Sequence, residues 1–182
     1  MDWYRIKHTI RMYMILTATK RATYLKKHDI FYHMGNNCMT MFRKIPLYPK
    51  LISFGNNVWI ASNVSFITHD VIHQMLNNRI NKKCFSEHIG CIELKDNVFI
   101  GANTTILSNV SIGPNVIVGA GSLVNKNLQN GVFAGVPAKY ICSIEEFEKK
   151  RKNNSEKIIF KNGLLSNKTV ELCWENFNKM TK

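Results

Sequence analysis

The sequence predicts an all-β core in which the chain coils through short parallel faces of six residues each, with helical segments at both ends. Three observations carry this. Leu94, Ile100, Ile106, Ile112, Val118 and Val124 recur every six residues, and Val98, Thr104, Val110, Val116 and Ser122 follow the first five at a spacing of four. A helix repeats its buried face near every 3.6 positions and a flat strand at every second one, so a strict period of six marks a repeat architecture instead. Small residues that let the chain turn (Gly101, Gly113, Gly119) come directly after the repeating aliphatic. The same period runs earlier through Phe54, Ile60 and Phe66, with Val58 and Val64 four residues after the first two. Three faces of this kind close a triangular coil whose aliphatics share one interior.

In chain order, residues 1–33 read as an N-terminal helical segment, helical to about residue 30. Trp3, Ile6, Ile10, Met14 and Thr17 are spaced for one apolar stripe with Arg5, Lys7 and Arg11 between them. Residues 34–141 form the coil. A degenerate first repeat, Met34-Gly35-Asn36-Asn37-Cys38, is interrupted by Pro46 and Pro49, and the coil restarts at Phe54. Its corners read Gly55-Asn56-Asn57 and Ala61-Ser62-Asn63. Asparagine tolerates the left-handed backbone that tight corners need, and its amide suits stacked side-chain ladders. Phe66 and Leu94 are 28 residues apart, which is not a multiple of six, so a segment within 67–89 leaves the coil as a loop. It holds His69, Asp70, His73, Arg79 and His88. The run closes at Leu128-Gln129-Asn130-Gly131, and the stretch through Lys139 reads as a turn-rich exit without strand or helix period. Residues 142–182 form a C-terminal helical extension. Its first helix starts at the capping box Ser143-Ile144-Glu145-Glu146 and ends near Asn153, and its second covers 167–180 with Val170, Cys173, Trp174 and Phe177 on one face. Terminal helices are suited to cover the open ends of a solenoid.

At 182 residues the chain has room for one domain with a real core and a small appendage. No run approaches the roughly 18 apolar residues of a membrane span, and the N-terminus lacks the pattern of a secretory signal, so a cytoplasmic protein is expected. The five cysteines are scattered without a C-x-x-C pair, which suggests free thiols rather than a disulfide framework or a zinc cage. The net charge of +13 asks for an anionic partner. No zinc-finger, helix-turn-helix or RNP pattern aims the basic residues at bases, so nucleic acid is not expected. A phosphorylated cofactor, a solvated basic surface, or an acidic inner-membrane surface met by the basic N-terminal helix would each account for the charge.

The string from Phe54 to Ile141 resembles the hexapeptide-repeat acyltransferases. The in-phase repeats, the segment Ile67-Thr68-His69-Asp70 after one rung, and the closing Gly119-Ala120-Gly121-Ser122 with Gly135-Val136-Pro137-Ala138-Lys139 carry the likeness. The resemblance implies a left-handed parallel β-helix, a handedness that the repeats do not themselves show. Within the superfamily the motifs look most like the O-acetyltransferases of sugars, the maltose, galactoside and nodulation group and the enzymes that decorate surface polysaccharides. That implies acetyl-CoA as co-substrate, a sugar or glycan acceptor, and a homotrimer with active sites between subunits.

Moving an acetyl group from a thioester to a hydroxyl needs a base, and a histidine titrating near neutrality can take the hydroxyl proton and return it to the thiol. His69 follows a rung by three residues and stands at the family's catalytic histidine position. Asp70 is assigned beside it, to orient backbone or to bind acceptor hydroxyls. The resemblance carries the cofactor role to Gly101, Ala102, Gly119, Ala120 and Lys139, the lysine as a partner for a CoA phosphate. Each of the four small residues also reads as a plain corner residue. His73 and Arg79 are assigned to the acceptor, with Trp59 read either as a stacking platform or as a trimer contact. The loop after His69 lacks the His-Pro step of the maltose-type enzymes.

Other readings stay open at this level: a serine O-acetyltransferase, a xenobiotic acetyltransferase, a γ-type carbonic anhydrase, or a non-catalytic scaffold. The serine enzymes carry a much longer helical N-terminus. The carbonic anhydrase needs three histidines on adjoining rungs, whereas His69, His73 and His88 fall in or beside one loop, so no metal site is expected.

Overall fold

The computed structural model describes residues 3–153, 160–161 and 164–180. The chain divides into two compact units, Met1–Ile144 and Glu145–Lys182. The N-terminal segment is two helices, α1 (Trp3–Met14) and α2 (Ala18–Lys27), rather than the continuous helix expected. The break has an electrostatic cause: Arg43 Nη1 donates to the carbonyls of Met12, Tyr13 and Ile15, and Arg21 Nη1 to those of Ile15 and Leu16. Arg43 thus takes two carbonyls of the last turn of α1, and Arg21 and Arg43 together hold those of the link that follows. Thr17 then caps α2 by accepting from Lys20 N–H at 3.4 Å. The buried face of α1 is His8 and Met12. Trp3, Ile10 and Met14 of the expected stripe lie outward, and Thr17 lies outside α1 altogether.

After α2 come β1 (His33–Met34) and β2 (Met39–Thr40), then β3 (Ile52–Phe54), β4 (Val58–Ile60) and β5 (Ser65–Phe66). Next are β6 (His69–Asp70), α3 (Ile72–Ile80) and β7 (His88–Ile89). The coil resumes with β8 (Ile92–Leu94), β9 (Val98–Ile100), β10 (Thr105–Ile106), β11 (Val110–Ile112), β12 (Val116–Val118) and β13 (Leu123–Val124). It ends in β14 (Gly131–Ala134) and β15 (Lys139–Cys142).

The strands stack into three sheets, one per face. The first face runs β1-β3-β8-β11, the second β2-β4-β9-β12-β14-β15, and the third β5-β10-β13. Every pairing within the coil is parallel until β15, which folds back antiparallel on β14. The exit is therefore a hairpin, where a turn-rich stretch without strand period was expected. Its hairpin register, Ala134 opposite Lys139, gives those residues the ladder partners that the hexapeptide pattern could not supply.

Register explains the lost phase. Leu94 pairs with Ile112, 18 positions on, whereas Phe54 pairs with Leu94, 40 positions on, so 22 residues are inserted into that coil. The insertion is not a plain loop: β6 and β7 pair antiparallel at its root, and α3 stands between them.

Inside the coil Phe54, Ile60, Leu94, Ile100, Ile106, Ile112, Val118 and Val124 are all fully buried. The first coil is plugged by aromatic rings, with Phe31 edge-on to Phe54 at 4.7 Å and Phe54 edge-on to Phe66 at 5.7 Å. Each such side chain contributes about 1.5–3 kcal/mol by leaving water. At the corner between the first and second faces Asn37, Asn57, Asn97 and Asn115 all take positive φ. Asn57 Nδ2 donates to Asn97 Oδ1 at 2.9 Å and Asn97 Nδ2 to Asn115 Oδ1 at 3.0 Å, so the corner residues form the expected ladder. Towards the C-terminus α4 (Ile144–Asn153) begins at the predicted capping box and α5 (Asn167–Met180) spans the predicted range.

Candidate functional site

The insertion places the first group of candidate residues. His69 lies on β6, two residues beyond Ile67 along the third face, so strand alternation puts Ser65, Ile67 and His69 on one side. Tyr48 packs edge-on to the His69 ring, with centroids 5.0 Å apart. Tyr48 adopts φ 50°, ψ 54°, a left-handed conformation that is uncommon for a bulky residue and costs on the order of 1–2 kcal/mol. The turn Pro49–Leu51 that follows holds it there. Its hydroxyl donates to Glu87 Oε1 at 3.4 Å, so one side chain braces both the histidine and the returning arm of the insertion.

His69 Nδ1 is buried and has no hydrogen-bond partner among the described residues, and the same is true of the neighbouring Thr68 Oγ1. A buried polar atom of this kind is completed by ordered water or by a bound group. Asp70 does not pair with His69. It stands opposite His88 in the β6–β7 ladder, and its Oδ1 accepts from the Ile72 N–H at 3.0 Å, which starts α3. His73 occupies the first turn of α3, with its own Nδ1 buried and unpartnered among the described residues. Arg79 is exposed in the last turn of that helix, away from the root. Asn77 holds the distal part together: its Oδ1 accepts from the Cys84 and Phe85 N–H groups and its Nδ2 donates to Phe85 O, all at 2.9 Å. Among the described residues no three His, Cys, Asp or Glu side chains converge as metal ligands.

The second group collects at the corner between the second and third faces. A Cβ on Gly101 would collide with the backbone of Gly119 and Ala120 in the next coil, and one on Gly119 would meet Ala134 Cβ at 2.9 Å. Coil-on-coil stacking therefore demands both glycines, whatever binds beside them. Gly121, with φ +69°, has nothing within 4 Å of an added Cβ, so the corner opens outward there. Lys139 lies opposite Ala134 in the hairpin, which brings it to the end of the same column. Small residues and exposed backbone with a terminal lysine fit an extended chain that carries phosphates at one end.

Two residues that pin this corner were not among the candidates. Thr104 and Ser122 are buried, at 0% and 2% exposure, where the repeat elsewhere places valine. Both donate to the Gly119 carbonyl, Thr104 Oγ1 at 3.2 Å and Ser122 Oγ at 2.7 Å, and Ser122 Oγ accepts from the Gly135 N–H at 3.2 Å. Their signal was legible as a hydroxyl in the same slot of two successive coils. Tyr48 and Asn77 had no such signal, because their partners are remote in sequence.

The two groups lie at opposite ends of the third face. The small-residue column sits where the chain enters the third face, and His69 lies beyond where the strand of that face ends. Trp59 joins neither. It stands on the outer side of the second face, in register with Met39 and Phe99, and donates its indole N–H to Asn57 Oδ1 at 3.0 Å.

Comparison with known proteins agrees with this coil. Residues 92–126 match the family described as bacterial transferase hexapeptide (six repeats). The chain is 42% identical over 127 residues to Protein CapG of Staphylococcus aureus, covering 68% of this chain and 72% of that protein. It is 34% identical over 119 residues to the galactoside O-acetyltransferase of Escherichia coli, covering 64% of this chain and 56% of that protein. The crystal structure of a maltose O-acetyltransferase from Clostridium difficile superposes with a TM-score of 0.55 at 27% identity, covering 78% of this chain and 84% of that one. The chain belongs to the hexapeptide-repeat acyltransferase superfamily. Its particular likeness is to the sugar O-acetyltransferases, although it spans little more than half the length of the galactoside relatives that it matches.

Proposed function

We propose that the chain is an acetyl-CoA-dependent O-acetyltransferase that acylates a hydroxyl of a sugar or glycan precursor, with His69 as general base. The observation that carries this is the His69 ring, fixed by Tyr48 at the root of an insertion, with a buried nitrogen left for an outside partner. In direct transfer the imidazole accepts the acceptor's hydroxyl proton while that oxygen attacks the thioester carbonyl. The tetrahedral intermediate expels the thiolate, which takes the proton back from the imidazolium. Asp70 keeps the start of α3 in place, and His73 faces the acceptor from the first turn. Gly101, Ala102, Gly119 and Ala120 let the pantetheine arm lie against backbone, and Lys139 meets a phosphate at its end.

The coil is taken as left-handed and the enzyme as a homotrimer. Two features support the trimer. The base and the column occupy different corners, so a site holding both forms where one subunit's His69 meets a neighbour's column. The outer side of the second face carries the ladder Met39, Trp59, Phe99 and Ile117, apolar groups suited to burial between copies. This favours the interface reading of Trp59. Use of acetyl-CoA goes with a cytoplasmic protein. The exposed Trp3, Ile10 and Met14, beside Lys7 and Arg11, suit a peripheral contact with an anionic inner membrane. No described helix is long and apolar enough to cross a membrane.

The test is His69→Ala. Transfer of acetyl from acetyl-CoA to a sugar panel should fall by at least about a thousandfold, with CoA binding by calorimetry retained. Near-normal turnover in the variant would remove His69 from the reaction.

A further inference from the structure

A groove of about 760 Å³ lies between the N-terminal helices, the segment Met41–Leu47 and the outer side of β5. Its lining contains the basic residues Arg21, Arg43 and Lys44 and, among the described residues, no Asp or Glu. Arg21 is 2% exposed and, among the described residues, is held by neutral partners: Nε donates to Thr40 O at 3.0 Å, Nη1 to the carbonyls of Ile15 and Leu16 just after α1, and Nη2 to Met41 Sδ. Arg43 is likewise held by carbonyls and stacks on the Tyr13 ring. Carbonyl dipoles orient these guanidinium groups without cancelling their charge. Burial, and after it the nearby Arg43 charge, push the Arg21 pKa down. Such a groove attracts anions.

The groove also leads to the base. Ser65 and Ile67 form its floor, and His69 is the next residue on that side of the strand. Leu47, on its wall, directly precedes the Tyr48 that packs on His69. A ligand with its anionic end among the arginines would therefore extend its other end toward the imidazole. The volume lies within the range of small-molecule sites.

We infer that the acceptor is a phosphorylated sugar, whose phosphate or diphosphate is gripped by Arg43 and Lys44 in this groove while a sugar hydroxyl reaches His69. This rests on the acetyltransfer reading and narrows it. Arg21 and Arg43, both held by neutral partners, together with Lys44 match the two or so negative charges of a phosphate ester better than the single charge of a carboxylate, and the guanidinium fork matches phosphate oxygens.

The experiment measures binding and turnover separately. Glucose, glucuronate, glucose 1-phosphate and a nucleoside diphosphate glucose are titrated calorimetrically into the full chain without acetyl-CoA, and thiol release is then followed with each as acceptor. The phosphorylated sugars should bind at least about tenfold tighter than glucose and glucuronate, with the tighter of the two showing whether the groove takes a single phosphate or a nucleotide. Lys44→Glu, at an exposed position, should weaken them about tenfold without altering the circular dichroism spectrum, while Lys27→Glu, an equal charge change on the exposed side of α2, should not. Equal binding of glucose and its phosphates, insensitivity to Lys44→Glu, or a preference for glucuronate would each overturn the inference. Phosphate-dependent binding without any thiol release would instead refute acetyl transfer and leave the groove standing. Turnover on glucose alone would refute the groove and leave acetyl transfer standing.

Discussion

Thr104 and Ser122 offer a test of how the column is held, because both hydroxyls converge on one buried carbonyl, that of Gly119. Thr104→Val keeps the shape and removes one hydrogen bond, worth about 1 kcal/mol. Ser122→Ala removes a second and also strips the acceptor from the Gly135 N–H, so a loss of about 1–2 kcal/mol is expected. In either single variant the Gly119 carbonyl keeps one donor. In the double variant it keeps neither side-chain donor, and leaving such a group unsatisfied costs about 1–3 kcal/mol beyond the sum. Urea denaturation of the four proteins, at one protein concentration because assembly adds to apparent stability, gives the coupling directly. Losses that add within about 0.3 kcal/mol would refute the shared-carbonyl account. Because Ala120 of the proposed CoA column follows the pinned residue, the double variant should also weaken CoA binding more than either single one.

Phe54→Ala, at a site with no exposure and between two edge-on rings, should cost about 3–5 kcal/mol in chemical denaturation. Asn97 combines φ +58° with two ladder bonds, so Asn97→Gly, which keeps the backbone relaxed, should destabilise less than Asn97→Ala by about 1 kcal/mol. His8 is buried against Tyr24, and burial, followed by the His28 and Lys7 charges, holds its pKa below 6.5. Between that lowered value and 6.5 the unfolded chain binds a proton that the folded one refuses. Stability from this group is therefore full above about pH 6.5 and declines on acidification, and His8→Gln should flatten the melting temperature between about pH 7 and 5.

The coil was legible because its constraint is local and repeated. Each six-residue face must point an aliphatic inward and turn a corner, and Leu94 to Val124 state that requirement six times in phase. The corner asparagines follow from the same logic, since only a few residue types tolerate positive φ. The capping box of α4 was legible for an equally local reason. Short-range pattern failed where a long-range partner decides. Spacing alone put Trp3, Ile10 and Met14 on the inner side of α1, but the helix lies against α2 and the first coil through His8 and Met12. Its end is set by Arg21 and Arg43, residues that only folding brings to those carbonyls.

The same division runs through the candidate site. The sequence by itself determined a hexapeptide coil, the place where its phase breaks, and a histidine at that break, because all three are properties of spacing along the chain. Only the tertiary structure decided that the broken segment contains a helix, that Tyr48 is strained into place over His69, and that Thr104 and Ser122 share one carbonyl. It alone put the small-residue column at a different corner from the base and gathered two arginines and a lysine into one groove. These depend on which coils and faces become neighbours, and neighbours remote in sequence leave no period behind to be read.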